Sequence, residues 1–313
     1  MPLISIVVPC YNEQESIPIF YQRVQEILNK YDGHRERYQW EYWFINDGST
    51  DETLQWMQYL NAADPERVHY VSFSRNFGKE AALLAGLKQA EGDYTAVMDV
   101  DLQDPPELLP TMIETLATTD NDVVATQRTD RKGEPWLRSK LSQAFYHVIN
   151  QISQVKIVPG ARDYRLMRRR VVQAIVGLPE VNRFSKGIFS WVGYKTTYLT
   201  FEHHDRVAGK THWSIRQLMD YSLDGIMNYS EVPLAMASWL GGLSFVAALF
   251  SCLWIVIRAL LFGNSTAGWP SLITIMLMLG GLQLLCLGVL GKYISKIYLE
   301  TKHRPLYLIK EKQ

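Results

Sequence analysis

Two stretches without a charged side chain, residues 232–257 and 259–291, dominate the C-terminal third of the chain and are parted only by Arg258. A helix needs about 20 mostly apolar residues to cross a bilayer core, and each stretch is long enough. The competing reading is a helical hairpin buried in a water-soluble core, but charge-free runs of this length are rare outside membranes. A short Gly-Asn-Ser-Thr turn, residues 263–266, lies between them. Lys292, Lys296, Lys302 and Arg304 follow the second stretch, and a basic region precedes the first. Short basic loops stay in the cytoplasm, so two spans are expected with both termini and the large N-terminal part on that side. The first strand is expected at Leu3, with no cleaved signal peptide before it. Two spans per chain are too few for a transporter unless many copies assemble a pore.

The formal net charge is zero, but the charges are segregated. Residues 1–127 carry 8 Lys and Arg against 21 Asp and Glu, whereas residues 128–216 carry 17 against 6. The basic part lies just before the first apolar stretch, where a surface facing anionic headgroups or a lipid phosphate belongs. Nucleic acid is not an expected partner. Cys10, Cys252 and Cys286 have neither disulfide nor zinc spacing.

The N-terminal part alternates strands and helices. Strands are expected over residues 3–9, 40–46, 68–73, 94–98 and 122–126, with helices over 15–28, from about 52, and over 80–90. Near-continuous apolar strands alternating with helices argue a parallel, doubly wound sheet. Each of the first four strands ends in a polar cluster: Pro9-Cys10-Tyr11-Asn12-Glu13, Asn46-Asp47-Gly48-Ser49, Asn76-Phe77-Gly78-Lys79, and Asp99-Val100-Asp101-Leu102-Gln103-Asp104-Pro105-Pro106. Open α/β sheets keep their ligands at that carboxyl edge. Two carboxylates there, spaced i, i+2 and followed by a proline pair that opens a helix near Glu107, are hard oxygen donors suited to Mg²⁺ or Mn²⁺ with a diphosphate. A lone acidic turn in solvent is equally common; the agreement of all four strand ends favours a nucleotide site.

Residues 136–152 read as an amphipathic helix, 160–167 as a polar knot, 195–201 as a strand and 205–213 as a basic loop. From Ser214 to Asn228 apolar residues recur at helical spacing, as in a helix lying at the membrane surface. His203 and His204 have no metal spacing and read as structural, and Trp213 as an interfacial anchor.

These ordered motifs, with two apolar stretches behind them, resemble the polyprenyl-phosphate glycosyltransferases of glycosyltransferase family 2, of the bactoprenol glucosyltransferase type and related to dolichol-phosphate mannose synthase. The resemblance implies an α/β GT-A (Rossmann-like) domain over residues 1–213, an interfacial helix over 214–230, two transmembrane helices over 231–291 and a cytoplasmic tail over 292–313. It implies that Pro9, Tyr11, Glu13, Asp47 and Lys79 contact the nucleotide sugar, Asp47 at the base or ribose. Asp99, Asp101 and Gln103 would form the metal and diphosphate site. Arg128 and Arg138 would meet phosphates, Arg206 and Lys210 would hold the acceptor phosphate, and Asp163 would be the catalytic carboxylate, with Asp101 and Arg128 contributing to the chemistry. Asp47 could instead be a helix cap, the two arginines surface ion-pair partners, and Asp163 a structural partner of Arg162 or Arg165.

The reaction implied is metal-dependent, inverting transfer of one sugar from a UDP-sugar, foremost UDP-glucose, to undecaprenyl phosphate at a bacterial inner membrane, by a homo-oligomer that the resemblance makes a tetramer. N-acetylglucosamine, mannose carried on GDP, or an aminoarabinose derivative would fit the same motifs. No Gln-x-x-Arg-Trp signature of processive synthases occurs. A membrane-tethered nucleotide-sugar-binding protein without turnover is the alternative of another class. Asp163, set among arginines, is expected to stay ionised and to orient its neighbours rather than act as a strong base.

Overall fold

A computed structural model describes residues 1–33, 37–129, 146–153, 155–202, 225–262 and 268–313. Strand–helix alternation builds the domain: β1 (Leu3–Cys10), α1 (Ser16–Asp32), β2 (Gln39–Asn46), α2 (Thr53–Ala63), β3 (Val68–Phe73), α3 (Lys79–Gln89) and β4 (Tyr94–Val97). A short 3₁₀ turn, Pro106–Leu108, leads into α4 (Leu109–Thr118), as the proline pair predicts. Then come β5 (Val123–Arg128), β6 (Ala161–Arg168), α5 (Arg169–Val176), α6 (Ser185–Trp191) and β7 (Thr196–Phe201). Two long helices, α7 (Val232–Phe262) and α8 (Trp269–Thr301), precede β8 (Ile309–Lys312).

All eight strands join one sheet in the order β7-β5-β6-β4-β1-β2-β3-β8. β3, β2, β1 and β4 are parallel neighbours, so the four polar clusters share one edge. The sheet is nevertheless mixed. The expected polar knot is the strand β6, antiparallel to both β4 and β5. β8 closes the other side antiparallel to β3. Because β6 runs backwards, its first residues lie at the edge where the parallel strands end. Helical residues 146–152 and 225–229 are the described parts of the two amphipathic helices expected over 136–152 and 214–228. Arg138, His203, His204, Arg206, Lys210 and Trp213 lie outside the described residues.

Alternation along the strands separates two cores. Ile4, Ile6, Val8, Tyr42 and Phe44 pack under α1, α2 and α4, while Val7, Ile45, Val71 and Val97 pack under α3 and α5. Residues 81–87 of α3 are all buried, because the helix lies over the middle of the sheet. Gly86 permits that approach: a Cβ there would stand 2.2 Å from Val7 Cγ1.

The two long helices behave differently from core helices. Over 31 and 33 residues they run about 45–50 Å at 1.5 Å per residue, more than the ~30 Å hydrocarbon core. Both are apolar enough to cross a membrane, and none of their apolar windows is buried in protein among the described residues. Trp239 is 80%, Phe250 70% and Leu284 71% exposed, a surface that only a lipid or protein environment would cover. Neither helix is therefore a core helix of this chain's own domain.

The far end of α8 returns to the domain. Glu300 accepts hydrogen bonds from the Val181 amide (3.0 Å), the Asn182 amide (2.9 Å) and Asn182 Nδ2 (2.9 Å). Tyr293 donates to the Ser230 carbonyl at 2.7 Å, and Ser230 Oγ donates to the Ile152 carbonyl at 2.9 Å. Beyond α8, Tyr307 stacks on Phe73 with ring centroids 4.8 Å apart, and β8 pairs with β3. The apolar hairpin is thus tied to the domain on both sides.

Replacing Gly86 by alanine should overpack the interface between α3 and β1 and destabilise the protein by about 1–3 kcal/mol. A thermal melt of the detergent-solubilised protein should fall by several degrees.

Candidate active site

The first two polar clusters hold each other in place. The Asn12 amide donates to Ser49 Oγ (2.9 Å), the Thr50 amide to Asn12 Oδ1 (2.9 Å), and the Glu13 amide to Thr53 Oγ1 (2.8 Å). Asn12 adopts φ 55°, a left-handed conformation that asparagine tolerates well. Glu13 accepts from Ser16 Oγ at 2.7 Å, so it also anchors the start of α1. At the start of α2, Asp51 Oδ1 accepts the Thr53 amide at 3.1 Å. Pro9 and Tyr11 are half-buried beside this lattice.

Asp47 is buried, and both its oxygens are engaged. The Phe77 amide donates to Oδ1 at 2.6 Å and the Gly78 amide to Oδ2 at 2.9 Å. Burial raises the Asp47 carboxyl, and the two amides oppose it. Its place in the fold is therefore an anchor for the third cluster, which carries Lys79. Gly48, at φ 64°, lets this approach happen, since a Cβ would lie 2.2 Å from the Arg75 backbone.

Lys79, the first residue of α3, reaches across to the acidic turn. Its Nζ stands 2.8 Å from Asp99 Oδ1 and 2.6 Å from Asp163 Oδ2. Asp163 arrives from β6: Val97 pairs with Arg165, and two further residues along the register set Asp99 beside Asp163. Odd-numbered residues of β6 face α3, which is why Lys79 is the partner of Asp163. Burial alone would weaken the Lys79 ammonium, but Asp163 and Asp99 raise it well above the usual lysine range. Burial likewise works against the charged Asp163 carboxylate, but Lys79, then Lys186 and Arg165, outweigh it and hold the group well below the usual carboxylate range.

The arginines expected around Asp163 are mostly engaged elsewhere. Arg162 faces the opposite side of β6 and pairs with Asp104 at 2.8 Å. Arg165 is buried, donates to the carbonyls of Asp163 (3.1 Å) and Arg162 (2.7 Å), and lies 3.4 Å from the centroid of the Phe189 ring. Arg168 binds the Asn121 carbonyl at 2.9 Å, and Arg170 pairs with Asp122. Arg128 ends β5 half-buried, its amide on the Gly160 carbonyl at 3.0 Å.

In the acidic turn Val100 and Leu102 are buried in the core while the carboxylates gather at the edge. Leu102 takes φ 54°, a conformation costing about 1–2 kcal/mol that a bulky residue adopts only when its surroundings demand it. Asp101 is buried and accepts the Gln103 amide at 3.2 Å. Burial pushes Asp104 up to about 6 against the pull of Arg162, and its Oδ2 has no hydrogen-bond partner among the described residues. Hard oxygen donors of this kind fit Mg²⁺ or Mn²⁺. Among the described residues there is no cluster of three or more His, Cys, Asp or Glu that could hold an ion, so diphosphate oxygens and waters would complete the shell of an ion held here.

Sequence reasoning assigned no role to Asp104, Glu80 or Lys186. Glu80 follows Lys79 and accepts the Ser185 amide at 3.0 Å and also the Ser185 hydroxyl, fixing α6 against the start of α3. Only the i+3 spacing of Asp104 from Asp101 offered a local signal.

A GT-A-like sheet with an acidic turn, a lysine and a strand-borne carboxylate at its carboxyl edge defines a sugar-transfer site. The chain belongs to glycosyl transferase family 2, whose family model matches residues 5–176, and it is a glycosyltransferase. A bactoprenol glucosyl transferase of Shigella phage SfV is 45% identical over 313 residues, covering 99% of each chain. A prophage bactoprenol glucosyl transferase homolog of Escherichia coli K12 is 43% identical, covering 98% of each. Among solved structures, glucosyl-3-phosphoglycerate synthase of Mycobacterium tuberculosis in complex with UDP is similar at a TM-score of 0.44 and 18% identity, over 72% of this chain and 78% of that one.

Replacing Asp47 by alanine should leave two amides without their acceptor and lower stability by about 2 kcal/mol or more. Lys79 would lose its fixed position, so a UDP titration of the folded variant should show weakened binding. The asparagine variant, which keeps one acceptor oxygen, should fall between.

Proposed function

We propose that the enzyme transfers one glucose from UDP-glucose, with inversion, to the phosphate of a long polyprenol such as undecaprenyl phosphate. The observation that carries this reading is the Asp99–Lys79–Asp163 cluster at the edge of a domain clamped to two exposed apolar helices. Relatives 43–45% identical over nearly the whole chain are described as bactoprenol glucosyl transferases, which supports the lipid acceptor and the sugar. The basic surface before α7 and the basic residues after the second apolar stretch support two spans in a bacterial inner membrane, with both termini and the domain cytoplasmic. A homotetramer belongs to the same reading.

Pro9, Tyr11 and Glu13 would border the nucleotide. Asp99 and Asp101, with Gln103 nearby, would hold a divalent cation, which supplies charge neutralisation for the departing diphosphate. Asp99 would then share or exchange its contact with Lys79. Arg128 and Arg138 would face phosphate oxygens, and Arg206 and Lys210 the acceptor. An acceptor phosphate oxygen attacks the sugar C1, the bond from C1 to the β-phosphate oxygen breaks, and its electron pair leaves on UDP. A phosphomonoester has a second pKa of about 6, so at neutral pH the attacking oxygen is already ionised. Asp163, held ionised by Lys79, Lys186 and Arg165, is a poor proton acceptor and orients these cations instead.

The deciding assay uses purified full-length protein, undecaprenyl phosphate and UDP-glucose, with UDP-N-acetylglucosamine and GDP-mannose as rival donors. Mass spectrometry should find glucosyl phosphoryl undecaprenol; transfer from a rival donor alone would overturn the sugar assignment. Asp101→Asn should lose most activity, and excess EDTA should abolish it until Mg²⁺ or Mn²⁺ is restored. Asp163→Asn should lower kcat by a factor that stays nearly constant from about pH 6 to pH 9. A general base would instead give a loss that shrinks as pH rises and the phosphate ionises fully.

A further inference from the structure

Lys79 is spent on Asp99 and Asp163, Arg162 on Asp104, and Arg165 on backbone carbonyls and the Phe189 ring. Among the described residues, an acceptor dianion approaching Asp163 therefore meets positive charge that is mostly committed already. Like charges repel strongly at the low effective dielectric of such a site, and a cation facing the incoming phosphate, beside those already assigned to the acceptor, offsets that repulsion. Lys186 on α6 has that character. Its charge acts on Asp163, its Nζ stands 3.5 Å from the Tyr146 hydroxyl, and it makes no ion pair among the described residues.

Its placement is fixed from two directions. On the catalytic side, the preceding residue, Ser185, donates its amide and hydroxyl to Glu80, the neighbour of Lys79. On the membrane side, the following residue, Gly187, packs flush on the Tyr229 ring, where a Cβ would lie 2.3 Å from a ring carbon. Tyr229 stands three residues before α7. The segment leading into α6 is clamped to α8 through Val181, Asn182 and Glu300, and Asn228 Nδ2 donates to the Asn182 carbonyl at 2.9 Å. Lys186 therefore sits where the apolar helices meet the catalytic edge.

We propose that Lys186 binds the phosphate of the acceptor lipid as it enters beside Asp163 from the membrane side. This rests on the lipid-phosphate reading above and adds a ligand to it. A lysine suits the task as a compact point charge with three donors on a flexible stem. The donor's diphosphate offers similar chemistry, and the two sources are separable by which substrate loses affinity.

The experiment uses the full-length protein in nanodiscs with undecaprenyl phosphate and UDP-glucose, comparing Lys186→Gln and Lys186→Arg with the unsubstituted chain. Lys186→Gln should raise KM for undecaprenyl phosphate about tenfold or more, as expected for the loss of one charge-assisted hydrogen bond, and leave UDP affinity within about twofold. The UDP titration also reports whether the variant is folded, and Lys186→Arg should recover most of the lipid affinity. An unchanged lipid KM in Lys186→Gln would overturn the proposal, as would a parallel loss of UDP affinity or failure of arginine to rescue. No transfer to undecaprenyl phosphate by the unsubstituted protein would overturn the acceptor reading itself, a result distinct from a normal lipid KM in the variant.

Discussion

Two carboxylates, Asp99 from the turn after β4 and Asp163 from β6, are brought together at a half-buried sheet edge by one lysine ammonium that binds both. Without Lys79, Asp163 would lose the largest of the charges that hold its carboxylate ionised against burial. Lys79 is delivered by the start of α3, which is set by the Asp47 carboxylate gripping the amides of Phe77 and Gly78. Asp47 is in turn positioned by the stitching of the first two clusters. The edge is thus one connected hydrogen-bonded lattice, and a change in any of its loops reaches the ammonium.

The same logic extends outward to the two long apolar helices. Glu80 ties α6 to the start of α3, and Glu300 ties the segment before α6 to the end of α8. A short run of residues, 181–187, therefore connects the apolar helices to the charged edge. The proposed reaction needs such a connection, because a water-soluble nucleotide sugar and a lipid arrive from different solvents and must meet within bonding distance. The closing strand β8, laid on β3 by the chain that follows α8, gives the domain a second fixed relation to the helices.

Much of this was legible in the linear chain because it rests on local rules. Apolar runs of strand length ending in Gly, Pro, Asp and Asn gave β1 to β5 and the helices between them to within a few residues. The polar clusters marked the edge, and the charge-free stretches marked the long helices. What escaped was non-local. β6 reads as a knot of arginines because its polar residues answer to Asp104 on one face and to Lys79 on the other, and no period of two in hydrophobicity survives that. β8 is a short, charged edge strand, Ile-Lys-Glu-Lys, that joins the sheet by pairing antiparallel with β3.

The sequence by itself determined which residues carry charge, where strands must stop, and which segments water would not tolerate, since each follows from the chemistry of neighbours along the chain. Only the tertiary structure decided the partners. It gave Asp163 to Lys79 instead of to the arginines beside it, turned Asp47 into a loop anchor, and placed Lys186 within electrostatic reach of Asp163. The reason is that alternation on β6 and its reversed direction settle which face and which edge each side chain occupies. Those are properties of strand pairing between residues 68 to 74 apart, and the chain has no local pattern in which to record them.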